Sequence, residues 1–265
     1  MTTRLGYRPA LDGIRALSVI AVVLYHAHLS WIPGGFLGVE VFFVVSGFLI
    51  TGILVEEHSV GGRIDLPAFW RRRARRLLPA LFAMLLVVLV LTAFVATESA
   101  PDFRRDALPA VLYFSNWWQV FGVDQPYFSV GVLPVLRHLW SLAVEEQWYV
   151  VWPLAALASM RIAKRRSGWA WAACAAVVMI LTAVLARVGD EGRLNFLYLG
   201  TLTRSSGLLL GAALAWWWHR RPAVESRVLQ WMGVLAAVGL GALFATQHVR
   251  SEEHTSELQS RQYLV

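Results

Sequence analysis

The chain has 265 residues, of which 57% are hydrophobic and only 15% are charged, and 13 of them are tryptophan. Soluble domains carry about a quarter charged residues, so this composition excludes a soluble enzyme and predicts a membrane protein with room for about seven or eight crossings. The net charge of +7 comes from 23 arginines and one lysine, Lys164, and does not indicate a nucleic-acid partner. A single cysteine, Cys174, excludes a disulfide within the chain, and no metal site is expected.

Seven apolar runs, bounded by charged residues or by glycine and proline, predict membrane-spanning helices. They cover residues 11–29, 36–55, 77–97, 139–160, 169–186, 196–218 and 228–246. A further apolar stretch, 107–122, is short and contains Asn116 and Gln119, which predicts a re-entrant or interfacial segment. The predicted fold is therefore an all-α, polytopic bundle of transmembrane helices with about seven or eight spans.

The placement of arginines predicts the orientation, because cytoplasmic loops of membrane proteins collect Lys and Arg. Arginines precede the first run, and they follow the second, fourth and sixth runs at 71–76, 161–166 and 220–221. We therefore predict a cytoplasmic amino terminus. Segment 107–122 then cannot cross fully, because the run at 139–160 alone returns the chain to the cytoplasmic side.

Two ionisable residues of the first run lie on one helical face. Arg15 and His26 are eleven residues apart, which at 100° per residue leaves an offset of about 20° and an axial separation of about 16 Å. Asp12, one turn before Arg15, is placed to pair with it. A charge inside the bilayer is costly and usually marks a pathway or reaction site, although His26 alone is also compatible with an interfacial residue.

The fourth run begins with a second group of polar residues. His138, Ser141 and Glu145 share a face, Tyr149 lies one turn below Glu145, and Glu146 points about 100° away. Two adjacent carboxylates in apolar surroundings need a cationic partner or a raised pKa, and structural ion pairs between helices are an alternative to a reaction site.

Arg204, in the outer half of its predicted span, is the expected cation for these carboxylates. With the predicted orientation, His26, Glu145 and Arg204 lie at comparable depth in the outer half of the bilayer and form a candidate buried site. The arginine segment 71–76 is, on general grounds, more typical of an anchor that contacts anionic lipid than of a ligand site.

Five segments follow one another along the chain. They are residues 8–15 with His26, the glycine- and phenylalanine-rich segment 35–50, the arginine segment 71–79, the acidic segment 138–149, and Thr203-Arg204 followed by Gly211. In this order they resemble the signature of acyltransferase family 3, the integral-membrane bacterial O-acyltransferases of cell-envelope glycans. Trp148 stands where phenylalanine is common in that family.

The resemblance implies transfer of an acyl group, usually acetyl, from cytoplasmic acyl-CoA to a hydroxyl of an extracytoplasmic glycan or glycolipid. Acyl-CoA is then a substrate, no cofactor is bound permanently, and the other partners are the acceptor and the bilayer of the bacterial cytoplasmic (inner) membrane. The residue types fit this task. Guanidinium groups bind phosphate oxygens in bidentate fashion, and histidine supplies a base near neutral pH.

We expect His26 to be the base, Glu145 to orient His26 or compensate its charge, and Arg15 to position the donor or stabilise negative charge at the thioester carbonyl. The expected acyl-CoA-binding residues are Arg71, Arg72, Arg73, Arg75 and Arg76. The expected supporting residues are Asp12, Ser46, His138, Ser141, Glu146 and Arg204. Transfer is either direct, which we favour, or passes through an acyl group held on His26 or on a serine such as Ser46 or Ser141.

The last segment, 250–265, is polar and departs from the apolar, arginine-rich composition that precedes it. It resembles the translation of a sequencing-library adapter, so we expect an incomplete acyltransferase membrane domain over 1–249 followed by an artefact tail. Two other functions stay open from the residues alone: a multispan transporter or flippase of an envelope precursor, and a membrane scaffold without catalysis.

Overall fold

The computed structural model describes residues 9–27, 29–122, 134–162, 167–187, 191–220 and 227–246. The regular structure of these residues is helical, with no β-strand among them. The α-helices are α1 Pro9–His26, α2 Gly38–Gly61, α3 Leu66–Phe94, α4 Ala100–Val111, α5 Ser115–Phe121, α6 Leu139–Ile162, α7 Ser167–Arg187, α8 Glu191–Leu199, α9 Thr201–Arg220 and α10 Arg227–Thr246. The predicted all-α class is confirmed, whereas segment 250–265 and the domain limit at 249 lie outside the described residues.

Four helical stretches are long and apolar enough to cross a membrane: α1, Gly35–Gly61 with α2, α3 and α7. Large apolar side chains such as Leu17, Leu86 and Ile180 are exposed on them, as contact with lipid requires. Helices α6, α9 and α10, with 24, 20 and 20 residues, overlap three further predicted spans and have spanning length. The first two also carry polar residues of the candidate site.

The arginine segment lies inside α3 and not in the connection before it. The predicted span starts at residue 77, but α3 starts at Leu66, where the Asp65 carboxylate accepts a hydrogen bond from the Ala68 backbone N–H at 2.9 Å. Pro67 lies in the first turn, where its missing N–H needs no partner. The arginines are therefore held on a rigid helix.

The prediction of one helix over 196–218 is wrong, because the helix is interrupted at Gly200, between α8 and α9. Asn116, which is fully buried, donates from Nδ2 to the Leu199 carbonyl and to Thr201 Oγ1, both at 3.0 Å. These bonds satisfy polar groups at the break in place of water. Hydropathy does not reveal the break because the chain is apolar on both sides of it.

Segment 107–122 forms the end of α4 and all of α5, so no single helix runs through it, and its re-entrant or interfacial placement stays a prediction. With 12 and seven residues, α4 and α5 are about 18 and 10 Å long, well short of a bilayer core. Gln147 of α6 donates from Nε2 to the Tyr113 carbonyl at 2.8 Å and to Asn116 Oδ1 at 2.9 Å. These bonds fasten α5 to α6.

Helices α2 and α9 cross with their backbones in contact. An added Cβ would overlap the Leu208 carbonyl at Gly47 and the Val44 carbonyl at Gly211. Because backbone atoms cannot turn aside as a flexible side chain can, the two glycines are required by this close approach. The crossing fixes the position of Ser46, next to Gly47, in the interior.

Helix α1 runs antiparallel to α2 and packs on a different side of α2 from α9. Gly38 of α2 faces Ser18 of α1, and the Arg15 guanidinium lies 4.9 Å from the centroid of the Phe42 ring. Helix α6 runs parallel to α2, since Phe43 contacts Trp140 edge to face and, two turns on, Trp152 contacts α2 through Thr51. We call the end of the bundle with His26 the outer end and the end with the arginine segment the inner end.

Candidate active site

Helices α2 and α6 bring two predicted residues into direct contact inside the bundle. Glu145 Oε1 accepts hydrogen bonds from Ser46 Oγ and from the Tyr149 hydroxyl. The exposed fractions of Ser46, Glu145 and Tyr149 are 2%, 5% and 3%. A buried carboxylate needs such donors in place of water, and it is placed to take a proton from either hydroxyl.

Arg73 is the member of the arginine segment that reaches this site. Its guanidinium carbon lies 3.4 Å from the centroid of the Tyr149 ring, and its Nη2 atom lies 3.9 Å from Glu146 Oε1. Trp70, one turn earlier on α3, donates from Nε1 to the Tyr149 carbonyl at 3.0 Å. We call the joined residues of α2, α3 and α6 the inner cluster: Ser46, Arg73, Glu145, Glu146 and Tyr149.

The other four arginines of the predicted acyl-CoA-binding set, Arg71, Arg72, Arg75 and Arg76, are exposed. Arg72 pairs with Glu57 near the inner end of α2, at 3.3 Å from Nη2 to Oε2. An exposed pair of this kind contributes little to stability. The structure therefore divides the predicted set into four surface cations and one interior cation.

The prediction that Arg204 is the cation for the two adjacent carboxylates is wrong. Arg204 Nη1 pairs with Glu40 Oε1 of α2, and Arg204 Nε donates to the Tyr198 carbonyl. Its guanidinium also lies over the Tyr198 ring, 4.0 Å from the centroid. Arg204 thus ties the break between α8 and α9 to α2, while Arg73 is the cation paired with Glu146. The signal that sequence reasoning missed is Glu40, a lone acid in the apolar run 36–55.

Arg15 lies against α2 and does not pair with Asp12 in the described part of the chain. Asp12 is exposed, whereas the Arg15 guanidinium lies over Phe42. Phe42 is one helical turn from Ser46, so Arg15 approaches the inner cluster from the α1 side.

His26 ends α1 and is exposed. Its Nδ1 atom lies 2.8 Å from the Val22 carbonyl oxygen, which can only accept, so Nδ1 is the donor. In the neutral form of the ring the lone pair is then on Nε2, which can take up a proton.

His138, just before α6, is near enough to His26 for their charges to interact. Although His138 is exposed, desolvation by the surrounding protein lowers its pKa, and the charge of His26 acts in the same direction. A backbone hydrogen bond at Val135 opposes both effects. Ser141 donates to the His138 carbonyl at 3.3 Å and is the remaining predicted residue on this face.

The structure does not bring His26 and Glu145 together. From the facing pair Ser18 and Gly38, His26 lies eight residues toward the outer end and Ser46 eight residues toward the inner end. At 1.5 Å per residue these displacements separate His26 from Ser46 by about 24 Å along the bundle. The hydrogen bonds of Glu145 come from Ser46 and Tyr149 instead.

The prediction of a common depth for His26, Glu145 and Arg204 is therefore wrong. His26 is outermost, Arg204 lies at the level of Glu40, and Glu145 is innermost. Hydropathy gives the approximate limits of a span, but the shift of one helix along its neighbour is set by packing, here by glycines of α2 against α1 and α9.

The helices and the buried polar site define an all-α membrane protein with ionisable groups held inside its bundle. A family model described as an acyltransferase domain matches residues 8–264. The chain belongs to this family, acyltransferase family 3.

Three similar proteins carry related names. O-acetyltransferase OatA of Staphylococcus aureus strain NCTC 8325 is 40% identical over 214 residues, which cover 80% of this chain and 35% of OatA. "Putative peptidoglycan O-acetyltransferase YrhL" of Bacillus subtilis strain 168 is 40% identical over 227 residues, 84% of this chain and 35% of YrhL. A "Putative O-acetyltransferase" of S. aureus strain MSSA476 is 37% identical over 250 residues, 91% of this chain and 41% of that protein.

The chain spans about two fifths of the length of the curated relatives it matches. No solved structure matches it significantly.

Proposed function

We propose that the chain acts as a membrane-bound O-acyltransferase that moves an acyl group, usually acetyl, from cytoplasmic acyl-CoA to a hydroxyl of an envelope glycan or glycolipid on the outer side. Membership of the family supports acyl transfer, and the names of the relatives, one of which mentions peptidoglycan, support a hydroxyl acceptor in the cell wall. The bacterial inner membrane and a cytoplasmic amino terminus are part of this proposal.

The observation that carries the proposal is the inner cluster. Acyl transfer needs a group that takes up a proton and a positive charge near the carbonyl oxygen that becomes negative. Glu145, with two hydroxyl groups hydrogen-bonded to it, supplies the first. Arg73 in the cluster supplies the positive charge, together with Arg15, which lies over Phe42 one helical turn from Ser46.

The four exposed arginines of α3 support an acyl-CoA donor. They lie on the helix that also carries Arg73, so phosphate groups bound at the surface would hold the thioester end of the same molecule near the inner cluster. In this assignment Arg71, Arg72, Arg75 and Arg76 bind the phosphates, and Arg73 stays in the interior.

His26 is the proposed base for the acceptor hydroxyl. Its free Nε2 atom and its exposed position at the outer end suit a group that meets an extracytoplasmic acceptor. His138 and Ser141 lie on the same outer side, and Arg204 with Glu40 holds the neighbouring helix break. His26 is thus assigned to the acceptor, and the inner cluster is assigned to the acyl donor.

The separation of about 24 Å between these two places means that either the acyl group or the acceptor has to move between them. In a direct transfer the flexible arm of acyl-CoA would carry the acyl group outward. In a two-step transfer, Ser46 Oγ attacks the thioester carbonyl, its proton passes to Glu145, and coenzyme A leaves as the thiolate. The acceptor hydroxyl then has to reach acyl-Ser46, where its oxygen takes the acyl group and its proton passes to the released Ser46 Oγ.

The proposal is tested with inverted membrane vesicles that contain the chain and are given labelled acetyl-CoA. We expect label on envelope glycan with the unchanged chain and none above background with His26→Ala, because the acceptor hydroxyl then lacks its base. Glu98→Gln, which changes an exposed residue after α3, is the control for expression and vesicle quality.

Equal labelling by His26→Ala and the unchanged chain would exclude His26 as the base. Absence of label from both, with folded protein and a glycan acceptor present, would contradict the proposed transfer itself and bring forward transport of an envelope precursor.

A further inference from the structure

Seven buried side-chain nitrogen and oxygen atoms have no hydrogen-bond partner in the described part of the chain. Gln119 holds one of them near the outer end. The other six lie in or below the inner cluster and belong to His58, Arg73, Glu146, Trp148, Trp171 and Trp217. Arg73 Nε and the three indole Nε1 atoms are obligate donors, so the inner half of the bundle has a surplus of buried N–H groups.

Two of the indoles flank Trp152, whose own N–H donates to Thr51 Oγ1 at 2.8 Å. Trp148 stacks on Trp152 at 4.5 Å between centroids and 14° between planes, and Trp171 meets Trp152 edge-on at 4.7 Å. Trp148 and Trp152 lie about 5 and 11 Å from Glu145 along α6. The three rings form an aromatic wall from the inner cluster toward the inner end.

Packing alone does not account for the two indole N–H groups. A phenylalanine at 148 or 171 would fill most of the same space without a buried donor, and an unpaired buried donor lowers stability. Glu146 Oε1, which is ion-paired with Arg73 Nη2 at 3.9 Å, also makes no hydrogen bond within the described residues. Indole N–H donors without a partner, and a carboxylate oxygen that can still accept a hydrogen bond, match a ligand that offers both an acceptor and a donor.

We infer that Trp148 and Trp171 bind the amide groups of the pantetheine arm of the donor, an assignment that rests on the proposed acyl-CoA-dependent function. An amide offers a carbonyl to an indole N–H and an N–H to Glu146. It is also uncharged, so Glu145 and Glu146 do not repel it as they would a phosphate. The methylene groups of the arm lie against the indole faces of the wall.

This assignment divides donor recognition between two places. The phosphates bind the exposed arginines of α3. The arm then follows the aromatic wall from the inner end to the inner cluster, so that the thioester arrives at Glu145. Removal of an indole N–H should therefore weaken binding of the arm and leave binding of the nucleotide part unchanged.

The test compares two probes by isothermal titration calorimetry on the purified chain: coenzyme A, and 3′-phosphoadenosine 5′-phosphate, which has phosphates and adenine but no arm. We expect Trp148→Phe and Trp171→Phe each to lower the affinity for coenzyme A about three- to tenfold and to leave the affinity for the nucleotide unchanged. Trp118→Phe, which removes an indole N–H bonded to Asp106 at 3.1 Å near the outer end, is the matched control and should change neither affinity.

The melting temperature of each free variant is measured in parallel, and we expect it to change little, since no hydrogen bond within the described part of the protein is lost and phenylalanine keeps most of the ring packing. Unchanged affinities for both probes, or an equal loss for both with a lower melting temperature, would assign the indoles to packing and overturn the subsite. Failure of the folded, unchanged chain to bind either probe would instead contradict the proposed donor.

Discussion

Glu145 accepts hydrogen bonds from two hydroxyl groups where little water reaches, and its protonation is the residue-scale event on which the proposed chemistry depends. Glu145→Gln keeps the shape of the side chain but removes its charge and its capacity to take up a proton. We expect acyl transfer to fall by about 10²- to 10⁴-fold, with the amount of folded protein little changed. The rate is measured as the transfer of labelled acetyl groups. Size-exclusion chromatography checks that the variant is folded.

Glu98→Gln again serves as the matched control, because that carboxylate is exposed on the connection after α3. If Glu145→Gln transferred acetyl groups at the rate of the control, Glu145 would have only a structural role.

A second residue-scale prediction concerns pH. Desolvation, with the charge of His26, lowers the pKa of His138 in the folded protein, so the unfolded chain binds a proton more readily. Stability is then fully present above the ordinary histidine pKa of about 6.5 and decreases as the pH falls through it. We expect His138→Gln to show a smaller drop in melting temperature between pH 7.5 and about pH 5.5 than the unchanged chain does.

Melting of the detergent-solubilised protein, followed by fluorescence at several pH values, gives this comparison. An identical pH dependence for His138→Gln and the unchanged chain would contradict the prediction.

Some contacts within one helix could be predicted from the sequence, although Asp12 and Arg15 of α1 do not pair in the described structure, whereas contacts between helices could not. Tyr149 and Glu145 are four residues apart on α6, and the hydrogen bond between them follows from helix geometry alone. The cation was misassigned because Arg204 and Arg73 are both reasonable partners for a carboxylate, and only the packing of α3 and α9 decides between them.

At the scale of elements, the crossing of α2 and α9 gives the clearest prediction. Gly47→Ala and Gly211→Ala each place a methyl group on a backbone carbonyl of the other helix. We expect each to destabilise the folded protein by roughly 1–3 kcal/mol or more, since the helices must move apart. The fraction of monodisperse protein after heating, followed by fluorescence-detected size exclusion, reports the loss.

Gly239→Ala on α10 is the control, because an added Cβ there meets no atom within 4 Å. Equal thermal tolerance of Gly47→Ala and Gly239→Ala would mean that the two helices do not touch so closely.

Hydropathy predicted the positions of the long helices because a lipid-facing helix has to be apolar along its whole length. It did not predict the break at Gly200, which depends on Asn116 from a different part of the chain. It also placed the start of α3 too late, since the arginine turns of α3 are helical but not apolar.

At the scale of the whole molecule, the orientation in the membrane can be tested with two introduced cysteines. In a Cys174→Ser background, we expect Glu98→Cys to react with a membrane-impermeant maleimide in intact cells, and Arg63→Cys to react only after permeabilisation. Both positions are exposed, and they lie before and after α3, so one crossing separates them.

Labelling of Arg63→Cys, and not Glu98→Cys, in intact cells would reverse the predicted orientation. It would also place the arginine segment on the side opposite to the proposed donor.

The backbone contact between α2 and α9 also limits how the bundle can move. At Gly47 and Gly211 no layer of side chains separates the two helices. They therefore cannot slide past each other and move as one rigid unit. Helix α3 meets the site through side chains, with Trp70 and Arg73 against Tyr149, and such contacts can part and re-form as rotamers change. A passage that opens to admit a substrate would therefore open by movement of α3, while α2 and α9 stay in place.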